Sequence, residues 1–125
     1  MSVQKDLYYT EEHEWLKVED EKGTIGITDH AQSELGDIVF VDLPEEGEEF
    51  SKGDAIGTIE AVKTVSDIYA PVSGEVLEVN ETLDEEAEKI NQDPYGEGWI
   101  VKVKLNDQSE LDELLSAEEY EDLIE

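Results

Sequence analysis

Short apolar runs closed by glycine, proline or acidic turns fill most of this chain, and they restrict it to a layered β fold. Trp15-Leu16-Lys17-Val18 is the first run, and Asp20-Glu21-Lys22-Gly23 turns it into Thr24-Ile25-Gly26-Ile27. Ile38-Val39-Phe40-Val41-Asp42-Leu43 follows, ended by Pro44 and Gly47. Lys52-Gly53-Asp54 leads into Ala55-Ile56-Gly57-Thr58-Ile59-Glu60, and the pattern resumes at Val65-Ser66-Asp67-Ile68-Tyr69-Ala70. Pro71 and Gly74 bound a turn before Glu75-Val76-Leu77-Glu78-Val79. In the last run, Trp99, Val101, Val103 and Leu105 share one face, and Lys102 and Lys104 share the other. A Gly-bounded pattern through Gly47, Gly53, Ile56 and Ile59 is echoed by Gly74, Val76 and Val79. Such an echo predicts two similar sheets packed face to face, with one hairpin at the end.

The period changes in two places. After Ile27, Thr28 is placed to cap a short helix and Gly36 to stop it. At the C-terminus, Leu111, Leu114, Leu115, Tyr120, Leu123 and Ile124 follow helical spacing and predict packing against the β core. Ser109 is read as the cap of one short helix, and Ser116 with Glu119 as the capping box of a second. Residues 81–93 read as an acidic loop with one helical turn through Ala87 and Ile90. The expectation is one domain over 1–125, with its core at about 15–105 and its C-terminal helices at about 109–124.

Charge narrows the function classes. The chain has 8 lysines, no arginine and 36 carboxylates, for a formal charge of −28. Nucleic acid and anionic membranes both call for clustered cations, so neither is an expected partner. The acid reads first as a solvating surface on a monomer, and second as a field that steers in basic partners. No cysteine is present, so sulfur chemistry would need an imported group. No export signal or membrane span is visible, which makes the cytoplasm the expected compartment. His13 and His30 are too far apart for a helix-borne metal pair and are assigned surface or capping roles. No metal motif and no self-sufficient catalytic constellation is expected.

Lys63 stands out. It interrupts two flanking β runs, which places it at a hairpin tip, exposed on a rigid frame. Gly57-Thr58-Ile59-Glu60-Ala61-Val62-Lys63-Thr64-Val65-Ser66-Asp67-Ile68-Tyr69-Ala70-Pro71 resembles the lipoyl-attachment segment of the glycine cleavage system H protein family. Tyr9-Thr10-Glu11-Glu12-His13-Glu14-Trp15 is similar to that family's N-terminal block. Ile25-Gly26-Ile27-Thr28-Asp29-His30, Leu35-Gly36-Asp37-Ile38 and Asp93-Pro94-Tyr95-Gly96-Glu97-Gly98-Trp99 match further blocks in order.

The resemblance implies a mainly β barrel-sandwich hybrid of the lipoyl/biotinyl-carrier type. It implies lipoic acid in amide linkage on Lys63, which would supply the sulfur that the twenty amino acids here lack. Glu60, Gly47 and Gly74 would serve ligase recognition and hairpin geometry, the glycines by permitting positive φ. Glu14 and Asp67 would line a cleft that holds the loaded arm. The implied protein is a non-catalytic carrier. It would take an aminomethyl unit from a pyridoxal-phosphate glycine decarboxylase to an aminomethyltransferase that uses tetrahydrofolate. It would then pass electrons to dihydrolipoamide dehydrogenase. A lipoate ligase or lipoyl transferase would load it. Relatives that have a serine at Glu12 or a histidine at Glu34 differ from this chain at those positions. The alternatives are a lipoyl domain or lipoate relay serving 2-oxoacid dehydrogenases, a biotin carrier, and an unmodified acidic interaction module. Biotin carriers flank their lysine with methionines, whereas here the neighbours are Val62 and Thr64.

Overall fold

A computed structural model describes residues 3–124. Its strands are β1 (Tyr8–Tyr9), β2 (Glu14–Glu19), β3 (Lys22–Ile27), β4 (Ile38–Asp42), β5 (Glu49–Phe50), β6 (Ala55–Ala61), β7 (Val65–Tyr69), β8 (Gly74–Val79) and β9 (Val101–Leu105). The helices are α1 (Asp29–Leu35), α2 (Lys89–Gln92) and α3 (Ala117–Ile124), with 3-10 segments at Glu81–Asp84 and Gln108–Glu113. Two sheets form, and they are unequal rather than similar. One has six strands in the order β1-β2-β3-β9-β8-β5; the other has three, β4-β6-β7. The strand pairs are antiparallel throughout, so tight connections suffice.

Alternation explains the layering. Leu16, Ile25, Val76, Val101 and Val103 point inward from the large sheet. Ile38, Val41, Ile56, Ile59 and Ile68 meet them from the small one, and all ten belong to a single buried cluster. Each such side chain contributes about 1.5–3 kcal/mol when fully buried. A second cluster lies on the other face of β2, where Leu7, Tyr9, Trp15, Ala117 and Tyr120 pack together. Tyr9 and Tyr120 stack with ring centroids 4.6 Å apart. Trp15 donates its indole N–H to the Pro94 carbonyl at 3.0 Å, which satisfies the polar edge of a buried ring. β2 is therefore covered on both faces, by the small sheet and by α3.

Local signals held where a cap or turn forced them. Thr28 accepts from the Ala31 N–H, and the Gly36 N–H closes α1 on the Gln32 carbonyl. The Ser116–Glu119 capping box is present in both directions, at 2.9 and 3.2 Å. Three expectations need correction. Asp107, not Ser109, caps the penultimate helical segment, which is a 3-10 turn. Trp99 lies outside β9 and only half-buried, beneath the Lys102 ammonium, while Ile100 takes the core position. Gly74 does not have a positive φ, whereas Gly47 does, at 90°.

The two glycines therefore serve different needs. Gly74 pairs with Leu105, and a Cβ there would collide with the Lys104 carbonyl oxygen. Nothing lies within 4 Å of a Cβ at Gly47, so only its backbone conformation is special. Gly74→Ala is expected to cost about 3 kcal/mol through forced separation of β8 and β9. Gly47→Ala should cost about 1 kcal/mol from left-handed strain alone. Urea midpoints of the two variants test this order; equal losses would refute it.

Candidate functional site

The β6–β7 hairpin carries Lys63. The Ala61 N–H donates to the Thr64 carbonyl at 2.8 Å and closes the turn. The Val62 N–H donates to the Asp37 carbonyl at 3.0 Å and ties the tip to the start of β4. Lys63 itself is exposed. Among the described residues no carboxylate pairs with it, although the chain is crowded with acid. Its side chain lies across Gly36, the residue that ends α1. A Cβ on Gly36 would sit 3.8 Å from the lysine Cε and 4.0 Å from Nζ. Gly36 has φ 80°, so the position favours glycine by its conformation, while a Cβ there would make only ordinary contact with the lysine. Asn91 fixes this seat. It donates to the Gly36 carbonyl at 2.8 Å and accepts from the Ile38 N–H at 2.9 Å.

Beside Leu35 opens a cleft of about 180 Å³. Ile27, Ala31, Leu35 and Ile59 form its apolar walls, and Glu12, Glu14, Glu34 and Asp67 place carboxylates on it. Glu14 and Asp67, named from sequence, thus line one cavity. Their environments differ. Asp67 is exposed on β7, where it accepts a long hydrogen bond from the Thr58 hydroxyl at 3.4 Å. Glu14 is buried at 2% exposure. One of its oxygens accepts from the Thr10 hydroxyl at 2.8 Å, and the other from the Tyr69 N–H at 3.0 Å. Burial pushes its pKa up to about 7, and those two hydrogen bonds limit the rise.

Residues not assigned to the site from sequence also meet here. His13 and His30 lie ring to ring at 4.8 Å, and His13 is on the cleft. The surface or capping role expected of them is replaced by a shared position between the cleft and α3. His13 Nδ1 is 2.9 Å from the Tyr120 hydroxyl, which is 2.7 Å from that of Thr28. Burial, and then His30, lower the His13 pKa. His30 pairs with Glu34 one helical turn on. The i, i+4 spacing of His30 and Glu34 was legible, but nothing local signalled that His13 would join them.

The other named residues do not reach the cleft. Glu60 is exposed on β6, opposite Phe40 on one side and Val65 on the other. Gly47 donates its N–H to the Val76 carbonyl before β5, and Gly74 opens β8; neither belongs to the Lys63 hairpin. Among the described residues no group of three or more His, Asp or Glu is placed to hold a metal ion. No described helix is long and apolar enough to cross a membrane.

Known proteins match this arrangement along nearly its whole length. The family model for the glycine cleavage H-protein matches residues 7–125. The chain belongs to the glycine cleavage H-protein family. A glycine cleavage system H protein from Carboxydothermus hydrogenoformans is 58% identical over 123 residues, covering 98% of this chain and 95% of that protein. One from Staphylococcus carnosus is 55% identical over 124 residues, covering 99% and 98%. The crystal structure of an H protein from Mycobacterium marinum superposes with TM-score 0.88 at 42% identity, covering 94% of this chain and 95% of that one. The two packed sheets are thus the barrel-sandwich fold of H proteins.

Glu14 gives this H protein a pH-dependent term in its stability. Its folded pKa is raised from 4.5 to about 7, so the folded state holds a proton that the unfolded state has released. The Glu14 contribution therefore falls as pH rises from about 4.5 to about 7, by roughly 3 kcal/mol at most. Glu14→Gln keeps an acceptor for the Tyr69 N–H and cannot ionise. Denaturation from pH 4.5 to 8 should show the parent losing stability relative to Glu14→Gln; parallel curves would refute the assignment.

Proposed function

We propose that Lys63 carries lipoic acid on its ε-nitrogen and that the chain works as the mobile-arm carrier of glycine cleavage in the cytoplasm. The carrier role and the absence of its own catalysis follow from family membership. The observation that supports the attachment site is Lys63 itself: an exposed amine with no carboxylate partner among the described residues, on a pinned hairpin beside a cleft with apolar walls and acidic ends.

The residues suit the group. The lysine side chain lies within van der Waals reach of Gly36 at the end of α1. An aliphatic arm can lie against Ala31 and Leu35, the half-buried apolar residues of the cleft wall. When attached, the lipoyl group supplies a disulfide that opens to accept a carbon unit and electrons. The chain supplies reach and shelter. Lysine plus lipoyl chain spans roughly 14 Å. Asp67 lies four residues along β7 from Lys63, or about 13 Å in extended chain, so the arm's end can come to Asp67. Ionised Glu14 and Asp67 would hold a cationic load there by charge-assisted hydrogen bonds and keep water from it. Glu60, Gly47 and Gly74 are assigned to recognition by the lipoate ligase or lipoyl transferase, with the glycines acting through the fold rather than at the tip.

The partners proposed are the pyridoxal-phosphate glycine decarboxylase, the tetrahydrofolate-dependent aminomethyltransferase and dihydrolipoamide dehydrogenase. A carrier with an excess of acid on its surface suits partners with basic docking faces. No observation favours the 2-oxoacid dehydrogenase alternative.

Protein from lipoate-fed cells should gain one lipoyl amide at Lys63 by peptide mass, and Lys63→Arg should gain none. Reconstitution with the decarboxylase should give glycine–CO2 exchange with the lipoylated parent alone; modification of another lysine, or exchange with Lys63→Arg, would overturn the reading. Glu14→Ala and Asp67→Asn should each shorten the lifetime of the loaded arm toward hydrolysis by about tenfold, the loss of one charge-assisted hydrogen bond. Unchanged lifetimes would remove both residues from the cleft's role.

A further inference from the structure

Exposed large apolar side chains are concentrated on the small sheet. Val39, Phe40, Val65 and Tyr69 are there and Val62 is at the adjoining hairpin tip, while Leu77 and Leu123 lie elsewhere. Strand register lines up part of this surface. Phe40 pairs with Glu60, and Glu60 pairs with Val65, so the three form one row across β4, β6 and β7. The row lies on the outward face, with Phe40 47% and Val65 60% exposed. A second observation is independent of exposure. The β4–β6 register shifts between Ile38 and Phe40, leaving Val39 as an extra residue. Because of this bulge, the successive residues Val39 and Phe40 are both exposed, where a regular strand would bury one. Isolated exposed apolar residues need no explanation, but an aligned row built with a bulge and next to the lysine hairpin does.

The length of the lysine selects the occupant. Enzymes that use the completed arm meet its end roughly 14 Å from the hairpin. The enzyme that makes the amide must act on a bare amine about 6 Å from its Cα, so it has to press against the scaffold. Charge defines the facing surface. β4, β6 and β7 carry Asp42, Glu60 and Asp67 and no lysine. A partner there should present an apolar patch edged by Lys or Arg.

We propose that the Phe40–Glu60–Val65 row, extended by Val39 and Val62, is the docking surface for the lipoate-attaching enzyme. The proposal rests on Lys63 being the lipoylated residue, and it adds the apolar row to the Glu60 assignment. In the attachment step the neutral Lys63 amine adds to the acyl carbon of an enzyme-bound lipoyl adenylate. The C–N bond forms, the bond to the phosphate oxygen breaks, AMP leaves with the electron pair, and the ammonium proton passes to solvent. The row takes no part in that chemistry; it holds the two proteins together while it occurs, so its loss should appear in KM.

The test uses the full-length unlipoylated protein with a purified bacterial lipoate–protein ligase, lipoate and ATP, scored by intact mass. Phe40→Ser and Val65→Ser should each lower kcat/KM by about tenfold through KM, with kcat kept. Leu77→Ser, on β8 of the large sheet, should match the parent. Acetylation of Lys63 by a small N-hydroxysuccinimide ester should proceed equally in all four proteins, showing that hairpin and amine are intact. Row variants within twofold of the parent would overturn the proposal. So would a parallel loss of reactivity toward the small ester, which would place the defect in the hairpin. Failure of the ligase to modify the parent at Lys63 would instead overturn the carrier reading on which the proposal stands.

Discussion

The packing of Ile59 and Ile68 against the large sheet is the constraint on which the lysine hairpin depends. An isolated two-stranded hairpin is marginal in water. Here β6 and β7 turn these two side chains into the main core, where they are essentially inaccessible. β4 joins their free side, and the Asp37 carbonyl holds the tip through Val62. The lysine therefore projects from a structure that does not bend with it. The packed strands form the frame and the exposed Lys63 side chain extends beyond it, which is the division of labour a carrier requires.

Burial on both faces of β2 extends the same constraint to the cleft. Leu16 belongs to the sandwich and Trp15 to the cluster beneath α3, so Glu14, next in line, has little freedom to move toward water. Its bonds to Thr10 and Tyr69 bridge the N-terminal segment and β7. A carboxylate in that place is costly when ionised and unsupported. Its burial among so many freely solvated acids marks it as different in kind from the surface charge. Tyr120 reaches the same region from α3 through His13, so the C-terminal helix is coupled to the cleft as well as to the core.

What could be read from the chain depended on how local the cause was. Thr28, Gly36 and the Ser116–Glu119 box act over a few residues, and all three were legible. So was the Lys63 hairpin, because two strong β runs flank a short break. Trp99 misled because alternation was extended one pair beyond the strand; the backbone shifts before Val101 and hands the core position to Ile100. Gly74 was assigned to a turn conformation when its role is to let the Lys104 carbonyl approach, a contact thirty residues away in sequence that no local pattern encodes. The inequality of the sheets arose similarly: β1 and β5 are two-residue strands that extend the large sheet by pairing with β2 and β8. At the site, Lys63, Glu14 and Asp67 came from resemblance. The joining of His13 to His30 and the seating of the lysine on Gly36 needed three dimensions.

That seat changes how a tethered group would explore its surroundings. Because the first few bonds rest on the end of α1, the free part of the arm sweeps a restricted cap instead of a full sphere. A smaller accessible volume means a higher effective concentration at any site within it. An enzyme that approaches over α1 and the cleft mouth would meet the load far more often than one arriving from behind the large sheet. The end of α1 at Gly36 would thereby give a tethered arm a preferred direction of delivery.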